Sequence, residues 1–152
     1  MKKLAVLLIS ALLVTTLCSC RTECDPYTLL SDFTQLYGAE GIIYHTSAEI
    51  YEDGYIDADL FRRIFVFSGE MPDSFAVFLN SHSHKGSECG VFVFSDEYEK
   101  SRIVEACQSR AALVSDNGDY LIICSSNTVF YSTLEDKPLA ERLWNQIIRR
   151  CY

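Results

Sequence analysis

The 152-residue chain has no apolar run long enough for a permanent membrane-spanning helix. The longest, Leu4 to Leu17, is fourteen residues and is interrupted by Ser10, Thr15 and Thr16, where such a helix needs roughly 20. Basic charge is scarce as well: 13 Lys and Arg stand against 21 Asp and Glu, a formal net charge of −8. That surface has no electrostatic footprint for phosphate backbones, so no nucleic-acid partner is expected. There is no phosphate-cradling glycine loop, no dinucleotide fingerprint and no G-x-S-x-G nucleophile turn. None of the seven cysteines falls at zinc-site spacing. The pairs Glu97/Glu99 and Asp57/Asp59 stand two residues apart, a spacing that on helices does not converge carboxylates on one substrate. No cofactor is expected, and no catalytic set is visible.

What is present begins at the N-terminus. Met1-Lys2-Lys3, a short apolar run and then small residues follow the pattern of a secretory signal peptide. Leu17-Cys18-Ser19-Cys20 resembles the bacterial lipobox, in which an aliphatic, a variable and a small residue precede cysteine. The resemblance implies a diacylglyceryl group on the Cys20 thiol and cleavage between Ser19 and Cys20. It divides the chain into a signal peptide (1–19), a polar tether (20–25) and one domain (26–152), and leaves 133 residues after cleavage. That length suits a single domain with a sizeable core. Loss of Lys2 and Lys3 leaves eleven basic residues against 21 acidic. Anionic headgroups would repel that balance, so the expected membrane attachment is lipid on the outer face of the cytoplasmic membrane. Of the remaining cysteines, Cys24, Cys89, Cys107, Cys124 and Cys151, most are expected as reduced, packed thiols.

Pro26 opens an expected helix ended by Gly38. Ile42–Tyr44 and Ile50-Tyr51 are short strand candidates, and Asp57 can cap a helix carrying Leu60, Phe61, Ile64 and Phe65. Phe75–Leu79, Val91–Phe94 and Tyr120–Cys124 are continuous apolar runs, as in strands buried on both faces. Asp96 with Glu99 forms a capping box ahead of a helix with Ile103, Cys107, Ala111 and Val114 in one stripe. Ser126-Asn127 is a tight turn into Val129–Tyr131, and Pro138 sits in the first turn of a last helix. Residues 75–114 and 119–150 each read strand, strand, helix after the N-terminal helix. This predicts an α+β domain with an antiparallel or mixed sheet and helices on one face.

Two stretches invite a metal. His82 and His84 form H-x-H beside Glu88, and two imidazoles two apart on an extended chain point the same way. A working site, or a small hydrolytic one, would need His45, Glu88 or Asp73 as further members, and a solvated hairpin loop accounts for the same residues. Residues 49–60, EIYEDGYIDADL, look like part of an EF-hand-type calcium loop around Asp53-Gly54. Tyr51 and Leu60, however, occupy positions where oxygen ligands are needed, so a turn at Asp53-Gly54 and a helix cap at Asp57 are the favoured reading. The first third is rich in tyrosine. Tyr27, Tyr37, Tyr44, Tyr51 and Tyr55, with Tyr98 further on, fall at element edges, where an amphipathic ring commonly serves an interface.

Glu88-Cys-Gly-Val-Phe-Val, the helix ending near Arg110, and Gly118-Asp-Tyr-Leu-Ile are similar to a domain found in small lipoproteins of Gram-positive, often gut-dwelling, anaerobic bacteria. The likeness covers about residues 75–150. It implies a lipid-anchored envelope protein and carries no catalytic residue with it. The expected function is therefore non-catalytic binding at the cell envelope, with an envelope protein as partner.

Overall fold

A computed structural model describes residues 25–80, 87–115 and 118–151. Cys20, His82 and His84 lie outside the described residues. The elements run α1 (Pro26–Tyr37), β1 (Gly41–His45), α2 (Ala58–Phe65), β2 (Ser74–Asn80), β3 (Glu88–Val93), α3 (Glu97–Val114), β4 (Leu121–Ser125), β5 (Thr128–Ser132) and α4 (Lys137–Ile148). The five strands form one antiparallel sheet in the order β1-β2-β3-β5-β4, and the domain is α+β. No described helix is long and apolar enough to cross a membrane.

Each helix starts where a side chain can satisfy an orphan N–H. Asp25, Asp57, Asp96 and Asp136 each accept a bond from the backbone N–H three residues on. Pro26 and Pro138 stand in first turns, where the missing N–H costs nothing. Gly38 ends α1 in the left-handed region, at φ 78, donating to Thr34 and Gln35 carbonyls. The capping box at α3 is only half formed. Asp96 accepts from the Glu99 N–H, but the Glu99 carboxylate turns away to the Glu70 N–H, 2.9 Å, and so fastens the 66–73 loop.

The helices cover both faces of the sheet, not the one face expected. Along β2, Phe75 and Val77 enter one core while Ala76 and Phe78 enter the other. In β5, Val129 and Tyr131 alternate in the same way with Phe130. The period-2 alternation of a strand sends neighbours to opposite sides, and runs apolar at every position need cover on both. One face is closed by α2 and α3, through Phe61, Phe65, Ile103 and Cys107. The other is closed by α1 and α4, through Leu30, Phe33, Trp144 and Ile147.

Ile50-Tyr51 is not a strand. The chain turns there, and Tyr51 takes φ 79. Cys89 and Cys107 are buried free thiols, Cys124 is an exposed one, and Cys151 is disulfide-bonded.

Candidate functional site

The tyrosines do not form one surface. Tyr37 joins α1 to the start of α4, its hydroxyl accepting from the Asp136 N–H at 2.9 Å. Burial raises its pKa. Tyr44 packs against the α2/α3 core, and Tyr98 stands exposed on α3 with the Arg102 guanidinium 5.9 Å from its ring centre. Tyr27, Tyr51 and Tyr55 gather instead around the end of β1.

That end is built on His45. Its ring lies 4.2 Å from the Tyr27 ring, tilted by 34°, and its Nδ1 shares a 2.8 Å hydrogen bond with Ser47 Oγ. The chain leaves the sheet after Thr46, whose N–H still donates to the Phe75 carbonyl, and returns at Gly54. The His45 N–H donates to the Gly54 carbonyl at 2.9 Å, and Tyr55 makes a parallel bridge to His45. The return requires glycine: Gly54 has φ 91, and a Cβ there would stand 2.5 Å from the Ile43 carbonyl oxygen.

Between departure and return, Ile50 and Tyr51 form a tip. Tyr51 is fully solvent-exposed and Ile50 is 61% exposed. Left-handed backbone on a non-glycine residue costs roughly 1–2 kcal/mol, and here it presents an aromatic ring entirely to water. Glu49, Glu52 and Asp53 surround the tip, all exposed. Glu52 closes the turn by accepting from the Glu49 N–H at 2.9 Å, while its own N–H donates to the Glu49 carbonyl. The tip is an apolar point in an acidic collar, held at both ends by the edge of the sheet. Asp53-Gly54 turns and Asp57 caps α2, its carboxylate 2.7 Å from the Leu60 N–H.

Of the residues weighed as metal ligands, the described ones, His45, Glu88 and Asp73, are not brought together. His45 lies on the α1/α4 side of the sheet. Glu88 lies on the other, 3% exposed, bound by Arg110 and Tyr131. Asp73 accepts from Ser95 Oγ at the start of β2. Among the described residues no three His, Cys, Asp or Glu side chains converge as a metal site.

Glu88 heads a buried polar network that the sequence did not reveal. Arg110 Nε and Nη2 reach its two carboxylate oxygens at 2.9 Å in a fork, and the Tyr131 hydroxyl donates to Oε1 at 2.9 Å. The bonded carboxylate raises the Arg110 pKa, and burial followed by the Glu88 charge raises that of Tyr131. Cys107, buried nearby, is pushed up by desolvation and by the same carboxylate. The available signal was a lone charge at the head of an apolar strand. Its partners, 22 and 43 residues away, had none. The network ties α3 to β3 and β5.

No family model, curated protein or solved structure matches the chain.

Proposed function

We propose that this is a lipid-anchored extracytoplasmic protein whose domain serves as a non-catalytic binding module at the cell envelope. The Leu17–Cys20 lipobox supports the anchor, with diacylglyceryl on Cys20. The observation that carries the binding role is the Ile50-Tyr51 tip. Exposed apolar area, held on strained backbone and fastened at both ends, fits a preorganised anchor residue for a partner's pocket. The carboxylates of Glu49, Glu52 and Asp53 call for a basic rim around that pocket, and they disfavour insertion among anionic lipids.

Geometry limits where the partner sits. Five residues, 21–25, separate Cys20 from α1, a reach of at most about 22 Å at full extension. Tyr27, in the first turn of α1, touches His45 at the base of the tip. This contact supports a tip at the anchored end of the domain and, with it, a partner protein at or in the same membrane. A photo-crosslinking residue at position 51 in the full chain, expressed in its own type of cell, should yield one discrete adduct. The adduct should be absent at position 98 and lost in Cys20→Ala, which should also fail to incorporate labelled fatty acid. Equal crosslinking at 51 and 98 would remove the tip from the reading. Normal fatty-acid labelling of Cys20→Ala would remove the anchor.

A further inference from the structure

The two edges of the sheet are treated differently. The β1 edge is covered by its own chain, with Gly54 against the Ile43 carbonyl and bonded to the His45 N–H. The β4 edge has no such cover among the described residues. Its outward groups follow from the bonding on the far side of β5. Asn127 and Thr133 bond toward β3, so 128, 130 and 132 bond toward β4, and they pair with Ser125, Ile123 and Leu121. In an antiparallel ladder the remaining residues, Ile122 and Cys124, then point their N–H and C=O groups away from the sheet. Leu121-Ile-Ile-Cys124 carries no charge, proline or bulge, the devices that usually keep an edge from pairing. Cys124 is exposed, as is Tyr120 just before the strand.

We propose that β4 pairs antiparallel with β4 of a second copy of this chain, about a twofold axis through Ile123, joining two five-stranded sheets into one. Self-pairing fits this edge for three reasons. Under this axis Ile122 of each copy meets Cys124 of the other, so the four outward-pointing N–H and C=O groups on each strand's edge find complementary partners. The same register sets apolar side chains opposite apolar or hydroxyl ones, Leu121 facing Ser125. No carboxylate opposes another: Asp119 falls opposite Asn127 and is neutralised within its own copy by Lys137 at 2.7 Å.

The register makes the test specific. Ile123 faces its own copy in a non-hydrogen-bonded pair, with Cα atoms about 4.5 Å apart, within disulfide range. In the full-length chain carrying Cys124→Ser, Ile123→Cys should give an intermolecular disulfide under mild oxidation, several-fold above the Cys124→Ser parent. Leu121→Cys should stay at the parent level, because its counterpart is Ser125, and Leu121→Cys with Ser125→Cys should crosslink again. Ile122→Pro removes an outward N–H, which an edge strand tolerates. It should leave the circular dichroism unchanged and abolish the Ile123→Cys crosslink. Crosslinking of Ile123→Cys at the parent level, or of Leu121→Cys to the same extent as Ile123→Cys, would overturn the proposal.

Discussion

The two faces of the sheet solve the same packing problem with different chemistry. Between the sheet and α1/α4 the core is apolar, and Trp144 stacks on Phe130 with ring centres 4.3 Å apart and planes 7° apart. Its indole Nε1 is buried and finds no partner among the described residues. Between the sheet and α2/α3 a phenylalanine cluster around Phe61 and Phe65 gives way, toward Arg110, to the Glu88 network. One face leaves a single weak donor unsatisfied. The other buries a full charge and satisfies it. An apolar face tolerates small polar defects because each involves one neutral group, whereas a buried charge needs its whole set of partners at once.

The largest expected effect tests that asymmetry. Glu88→Ala leaves Arg110 and the Tyr131 hydroxyl unpaired, and should cost about 3–5 kcal/mol in chemical denaturation. Glu88→Leu with Arg110→Met should cost less than Glu88→Ala alone. If the double change costs the sum of the two single ones, the pair is not coupled. On the apolar face, Trp144→Ala should cost about 3–5 kcal/mol, but Trp144→Phe only about 1–2 kcal/mol, because the indole N–H gives up no bond. A loss in Trp144→Phe as large as in Trp144→Ala would show that the indole N–H is satisfied after all.

Alkali should next touch both faces, since Cys89 lies in the α1/α4 core and Cys107 and Tyr131 in the α2/α3 core. Cys89, Cys107 and Tyr131 all have raised folded-state pKa values. The folded protein keeps protons that the unfolded chain releases above about pH 8.5 for thiols and about pH 10 for tyrosine. Stability is then level below about pH 8.5 and falls as pH rises. Thermal melts across pH 7–11 should show the decline, with Cys89→Ala and Cys107→Ala flattening its first part and Tyr131→Phe the part above about pH 10. The smallest effect should be the same on both faces. Asp57→Ala on α2 and Asp136→Ala on α4 should each cost about 1 kcal/mol, since a cap is a local bond.

Much of the fold was legible in the residues. The caps, the Gly38 stop, the turns at Asp53-Gly54 and Ser126-Asn127 and the buried strands β2 and β3 all rest on neighbours within a few positions, whereas Tyr120–Cys124, read as buried on both faces, is a half-buried edge strand with Cys124 exposed. The Ile50-Tyr51 strand was misjudged because two apolar residues carry no period, and the Gly54 return to His45 holds them in a turn. The tyrosine-rich first third was visible as composition. Which rings serve the core, as Tyr44 does, and which stand at the tip, as Tyr51 does, was not.

The sequence by itself determined where elements start and stop, because caps and turns act over two to four residues; its continuous apolar runs called for cover on both faces, yet the expected arrangement had the helices on one. Only the tertiary structure decided which helix covers which face, that β3 lies beside β5, that Glu88 meets Arg110 and Tyr131, and that among the described residues β1 is covered at its edge while β4 is not. These depend on contacts between distant segments, and an apolar run of strand length specifies that it must be buried without specifying by what.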